Sequence, residues 1–215
     1  MGRKRVGILI SGRGSNMASL VDAARQETCA YEIACVISNR PDAQGLQIAE
    51  TAGIAAVALD HKALGTREAL DAAIHDALLA HEAELVACAG FMRIMTSDFI
   101  AKWDGRMINI HPSLLPLFKG VNTHERALQA GVRVHGCSVH FISAELDAGA
   151  IIAQGVVKVM PGDDADTLAA RVLPVEHRIY PAVLNALAEG RIGLENGRAV
   201  FSDNDAAGLS VLASG

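Results

Sequence analysis

The 215-residue sequence lacks any uninterrupted apolar run near the ~18 residues a membrane helix needs. Its conspicuous basic cluster, MGRKR at 1–5, leads into VGILI, which is too brief for the apolar region of a signal peptide. A soluble cytoplasmic protein is therefore expected. Basic charge is not in surplus either. The net charge is −5 and the pI about 5.9, which argues against a nucleic-acid surface while leaving room for a local basic site. Cysteine signatures are missing too: Cys29, Cys35, Cys88 and Cys137 show no C-x-x-C spacing. Chain size and the lack of an export signal favour free thiols. No H-E-x-x-H motif occurs among His111, His124, His135 and His140. His135 and His140 lie five apart in a strand-like run, which sets them on opposite faces, so no metal site is expected.

What is present is enough apolar material for a core. Hydrophobic residues make up 51% and charged residues 20%, which fits one large folded domain and excludes wholesale disorder. Short β-type runs alternate with helical patterns: VGILI (6–10), a helix from 16 to 26, EIACVIS (32–38), a helix from 43 to 52 ending at Gly53, and AAVAL (55–59). A further helix begins after Thr66 as N-cap, and ELVACAG (84–90) and RMINI (106–110) complete five strands. The alternation predicts a doubly wound α/β fold, Rossmann-like, with a mostly parallel sheet and helices on both faces. HGCSVHFIS (135–143) and AIIAQGVVKV (150–159) are then expected as an antiparallel pair or as far-edge strands. A helix over 164–189 contains Pro174 and Pro181 and is expected to bend. Asn196-Gly197 suits a type I′ hairpin turn. One domain over 1–202 and a loose tail over 203–215 follow.

ISGRGSNM (10–17) joins the first strand to the first helix. Its glycines allow close backbone approach, and the helix N-terminus offers unpaired N–H groups and a positive dipole end. The dinucleotide pattern G-x-G-x-x-G/A fails, because Met17 takes the third glycine position, and no Walker A Lys-Ser or Lys-Thr follows. A monophosphate site and a plain tight turn both remain open from the loop alone.

INIHPSLLP (108–116) breaks an apolar strand into His-Pro. Period-2 geometry places Asn109 and His111 on one face at a strand's carboxyl end, where open α/β sheets bind ligands. Asn offers a neutral donor and His a donor that exchanges protons near neutral pH, so the pair could stabilise an oxyanion on a carbonyl under attack. Pro112 favours an extended conformation at His111. Asp147, in AELDAG, is a candidate carboxylate partner; an Asp before Ala-Gly is equally a turn former.

Five stretches in order, ILISGRGSNM (8–17), AGFMRIM (89–95), INIHPSLLPLFKG (108–120), HGCSVHFISAELDAGAIIAQ (135–154) and EHRIYP (176–181), resemble the folate-dependent glycinamide ribonucleotide formyltransferases of purine biosynthesis. The resemblance implies transfer of a formyl group from 10-formyltetrahydrofolate, the cosubstrate, to the amine of glycinamide ribonucleotide, without a metal. It carries Asn109, His111 and Asp147 onto catalytic positions. Gly14, Ser15, Asn16 and Glu176 fall on the glycinamide ribonucleotide side. Arg67, Met92, Arg93, Ile94, Met95, Ser143, Ala144, Glu145, Leu146 and Asp147 fall on the folate side, and Ser138 and His140 behind the catalytic residues. Simpler roles stand beside these: core packing for the apolar residues of 92–95, a solvated charge for Arg67 and for Glu176. Leu173-Pro174-Val175 departs from the more polar residues usual before that glutamate. The implied partners are small molecules, with neither nucleic acid nor membrane, and the state a monomer or homodimer. Formyltetrahydrofolate hydrolases and methionyl-tRNA formyltransferases are related alternatives, and a catalytically silent nucleotide- or folate-binding module is a further one.

Overall fold

The computed structural model describes residues 2–202 and the backbone of 211–212. In chain order the elements are β1 (Lys4–Ile10), α1 (Ser15–Ala24), β2 (Tyr31–Ser38), α2 (Gln44–Thr51), β3 (Ala55–Ala58), α3 (His61–Leu64), α4 (Arg67–Ala80) and β4 (Leu85–Cys88). Then come α5 (Ser97–Lys102), β5 (Met107–His111), α6 (Thr123–Gln129), β6 (Val134–Phe141), β7 (Ile151–Lys158), α7 (Ala165–Ala188), β8 (Ile192–Glu195), β9 (Arg198–Phe201) and β10 (Val211–Leu212).

The eight-stranded sheet runs β10-β7-β6-β5-β4-β1-β2-β3. β3, β2, β1, β4 and β5 are mutually parallel, whereas β6 is antiparallel to both β5 and β7. The two late strands thus form an antiparallel pair and also lie toward the sheet's far side. The expected tail falls outside the described residues except for Val211–Leu212, which pair in parallel with Gly155 and Val156.

Apolar alternation explains the layers. Val6, Ile8 and Ile10 of β1, Ile108 and Ile110 of β5, and Cys137, Val139 and Phe141 of β6 point into one core. There they meet Met17, Leu20 and Val21 of α1 and Leu168, Val172, Val175, Ile179 and Val183 of α7. The opposite face buries Leu9, Cys35, Ile37, Val86 and Met107 under Leu70, Ile74 and Leu78 of α4 and Phe99 and Ile100 of α5. Each such side chain contributes roughly 1.5–3 kcal/mol by leaving water. Helix starts follow local chemistry. Thr66 Oγ1 accepts the Ala69 N–H, Thr96 Oγ1 the Phe99 N–H and Asp164 Oδ1 the Thr167 N–H, each cap worth ~1 kcal/mol. α7 carries both Pro174 and Pro181 within one continuous helix. Asn196 and Gly197 have φ of 49° and 72°, as a type I′ turn between β8 and β9 requires.

The short helices α3, α5 and α6 are absent from the sequence-based expectations. None of them reaches the roughly 11-residue window over which helical periodicity is read. Among the described residues, no helix is long and apolar enough to cross a membrane.

Candidate active site

β5 and β6 pair antiparallel in a register that sets Asn109 opposite His140 and His111 opposite Ser138. Directly opposed side chains on one face sit ~4.5–5.5 Å apart at Cβ, so this register makes one polar cluster from two strands. Asn109 Nδ2 lies 3.1 Å from His140 Nε2, and His140 Nδ1 lies 2.8 Å from the Phe141 carbonyl oxygen. A carbonyl only accepts, so Nδ1 carries the proton and Nε2 accepts from the Asn109 amide. Burial holds the His140 pKa below the usual imidazole value, in keeping with this neutral form.

His111 is buried with acceptors at both ring nitrogens. Its Nε2 is 3.0 Å from the Phe118 carbonyl oxygen, and its Nδ1 is 3.4 Å from Asp147 Oδ2. An imidazolium finds both of its N–H groups matched there. Asp147 arrives from the turn after β6 in a left-handed conformation, φ 48°, which Asp tolerates better than most residues. The Gly120 N–H donates to its Oδ2 at 2.8 Å, and His140 Nε2 stands 3.8 Å from its Oδ1. Gly149 permits this turn. A Cβ there would sit 1.8 Å from the Phe141 carbonyl oxygen.

Ser138 holds the loop that carries Phe118. Its Oγ donates to the Ser113 carbonyl at 2.7 Å and accepts the Leu115 N–H at 2.9 Å. Gln154 Nε2 donates to the Leu115 carbonyl at 2.9 Å. Phe118, Gly120 and Gln154 were not singled out from sequence. Two contribute backbone groups, which leave no residue-type signal, and Gln154 declares itself only through the β6–β7 register.

A second polar group lies at the start of α1. Gly14 caps the helix at φ 78°, and its Cα side faces Gly45 of α2, where a Cβ would stand 2.9 Å from the Gly45 Cα. Asn16 Nδ2 donates to Glu176 Oε2 at 2.6 Å, bringing the glycine loop and α7 together. Asn16 Oδ1 is buried without a hydrogen-bond partner among the described residues. Glu176 is only 6% exposed, so it is not a solvated charge, and burial raises its pKa despite the Asn16 amide. Ser15 is exposed beside it.

The remaining sites divide. Met92 and Ile94 are 66% and 55% exposed, against a core-packing role, whereas Met95 is buried. Arg93 is exposed. Ser143 Oγ donates to the Glu145 carbonyl, Glu145 pairs with Lys119 at 2.9 Å, and Ala144 and Leu146 are exposed. Arg67 is exposed on the first turn of α4, and no contact among the described residues ties it to the Asn109–His111–Asp147 cluster. No group of three or more His, Cys, Asp or Glu side chains able to hold a metal ion occurs among the described residues. A surface cleft of about 480 Å³ between α1 and α2 is lined by Asp22, Arg25, Gln44 and Gln47 and by none of the candidate site side chains named above.

Comparison with known proteins adds context to this geometry. Residues 4–184 match the family model described as formyl transferase. The Escherichia coli protein named phosphoribosylglycinamide formyltransferase is 42% identical over 192 residues, covering 89% of this chain and 91% of that protein. The human trifunctional purine biosynthetic protein adenosine-3 is 47% identical over 197 residues, which are 91% of this chain but 20% of that protein. The chain thus spans about a fifth of such trifunctional relatives. Glycinamide ribonucleotide transformylase 1 from Symbiobacterium toebii superposes with a TM-score of 0.91 at 42% identity, covering 94% of this chain and 95% of that one.

Proposed function

The chain belongs to the formyl transferase family, and on that premise we propose that it transfers the formyl group of 10-formyltetrahydrofolate to the amine of glycinamide ribonucleotide. The observation that carries this is the cluster of Asn109, His111 and Asp147 at the carboxyl end of β5, with the Asn16–Glu176 pair beyond the end of β1, the strand on the other side of β4. One group suits a carbonyl under attack; the other suits a phosphorylated sugar.

The substrate amine attacks the formyl carbon, forming a C–N bond and placing charge on the formyl oxygen. The Asn109 amide and an imidazolium at His111 face that oxygen, His111 Nε2–H exchanging the Phe118 carbonyl for it. Two fixed donors in a site poor in water stabilise the oxyanion. Asp147 supports the charged imidazole and takes up the proton that the attacking nitrogen sheds, directly or across one water. The tetrahydrofolate nitrogen then receives that proton and leaves as the C–O double bond re-forms. Protons and electrons balance without an external oxidant or reductant. The products are formylglycinamide ribonucleotide and tetrahydrofolate.

On the acceptor side, the α1 N-terminus at Gly14 and Ser15 takes the phosphate, and Glu176 accepts from ribose hydroxyls. On the donor side, Met92, Ile94 and Leu146 present apolar surface to the pterin, with Arg93, Met95 and residues 143–145 completing the rim. Arg67 remains the candidate for the glutamate carboxylate. Ser138 and His140 orient the catalytic groups. Soluble small molecules are the proposed partners.

Purified protein with both substrates should form formylglycinamide ribonucleotide at the expense of the formyl folate. Formate released at the same rate with no acceptor present would instead make the chain a hydrolase. Binding with neither product would make it a silent module.

A further inference from the structure

Between the two halves of the site lies a buried polar strut that the transfer chemistry does not use. Ser11 follows β1 and is 4% exposed; Asn39 follows β2 and is 2% exposed. The Met92 N–H donates to Ser11 Oγ at 2.8 Å, and the Ser11 N–H donates to the Gly90 carbonyl at 3.2 Å. An amide N–H can only donate, so the Ser11 oxygen accepts from Met92, and its own proton needs an acceptor elsewhere. Asn39 Oδ1 supplies one at 2.5 Å. Asn39 is held in turn. His61 Nδ1 lies 2.7 Å from its carbonyl oxygen, and the His61 N–H also points to that oxygen at 3.3 Å.

The residue gripping Met92 directly precedes Gly12-Arg13-Gly14, the loop that opens α1. Position 11 therefore touches both sides at once, through the chain to the acceptor loop and through its hydroxyl to the segment 90–95. At the other end of that segment, the Thr96 N–H donates to the buried carboxylate of Asp71 on α4 at 2.7 Å. The segment is pinned at Met92 and Thr96, and between those points Arg93 and Ile94 stand exposed.

Resting on the formyl-folate assignment above, we propose that Ser11 is a positioning residue, its hydroxyl fixing the folate-bordering segment Gly90–Met95 against the acceptor loop and so setting the distance between donor and acceptor. A buried hydrogen bond that leaves its partner unsatisfied when removed is costly enough to shift such a segment. Geometry of this kind is felt in rate and donor affinity, because a misplacement of about 1 Å costs roughly 10²-fold in favourable cases.

The test compares wild type, Ser11→Ala, Ser11→Thr and Asp71→Asn in the full chain. Calorimetry gives the affinity for tetrahydrofolate and for glycinamide ribonucleotide separately, and amide hydrogen exchange follows residues 90–95 without substrate. Ser11→Ala should weaken tetrahydrofolate binding about tenfold, leave glycinamide ribonucleotide within about twofold, and speed exchange in 90–95 without altering exchange in α4. Ser11→Thr keeps the hydroxyl and should restore slow exchange. Asp71→Asn should instead speed exchange from Thr96 into α5. If Ser11→Ala does not fold, Asn39→Ala removes the acceptor of the hydroxyl, along with an amide contact to His61 at 3.4 Å, and should give the same pattern in 90–95. Unchanged exchange in 90–95, or equal weakening of both ligands, overturns the proposal. If wild type binds neither ligand while Ser11→Ala still loosens 90–95, the strut stands and the formyl-folate assignment falls.

Discussion

Over β2, β1 and β4, one face of the sheet carries Cys35, Ile37, Leu9 and Val86, sealed under α4 and α5. Over β5 and β6 that same face carries Asn109, His111, Ser138 and His140, covered by loops rather than by a helix. The difference follows from strand direction. Parallel strands require crossovers, and their helices bury the face. Where β6 turns antiparallel, no crossover is needed on that face, and cross-strand pairs meet in the gap. The fold thus divides one surface into an apolar half sealed by helices and a polar half to which the proposed chemistry is assigned.

The sharpest way to break this comparison is His111→Ala, expected to lower kcat about 10²–10³-fold with a small change in KM. Asp147→Asn should follow at about 10²-fold in kcat, again with a small change in KM. Turnover at the wild-type level in either variant, measured by product formation, would move the chemistry out of the polar half. Ile74→Ala, under the apolar half, should behave in the opposite sense. It costs about 2–5 kcal/mol in denaturant unfolding while kcat stays within about twofold. A kcat loss matching that of His111→Ala would erase the distinction.

A third probe lies beside the polar half. Burial pushes the His135 pKa from 6.5 down to about 4, with His124 ring-to-edge against it at 5.1 Å between centroids. A depressed folded-state pKa gives stability that is full above 6.5 and is lost as pH falls through about 4. That window is worth about 3 kcal/mol. Unfolding curves across it should steepen with acid in wild type and flatten in His135→Phe. The smallest effect is expected from Glu176→Gln, with about a tenfold rise in the KM for glycinamide ribonucleotide and little change in kcat. Because burial raises the Glu176 pKa, its ionised form destabilises the fold as pH climbs past the ordinary carboxylate range. The Gln variant should therefore gain on wild type in unfolding free energy as pH rises; a constant offset would refute that.

Much of this was legible beforehand because it depends on short-range patterns. Strand alternation, the Thr66 cap and the Asn196-Gly197 turn are each decided within a few residues. So is the shared face of Asn109 and His111. What lay out of reach was register. Whether Asn109 meets His140 or a residue one step away depends on a pairing 31 positions distant, and a slip of one would reverse every side chain. Ser11 and Asn39 escaped for a different reason. Both residue types are ordinary at strand ends, and only their burial against Met92 distinguishes them.

The bare apolar rim proposed to border the folate has a thermal consequence. Met92, Ile94 and Leu146 hold water against 66%, 55% and 52% of their surfaces. A flat ring system settling over them would release that hydration, and apolar hydration carries a positive heat capacity. Folate binding should accordingly grow more exothermic with each rise in temperature, at a slope that steepens with the area covered. The proposed phosphate end, built around the Asn16 amide and the Glu176 carboxylate, offers little such surface. Calorimetry across a range of temperatures would thus record which substrate is bound mainly by grease and which by charge.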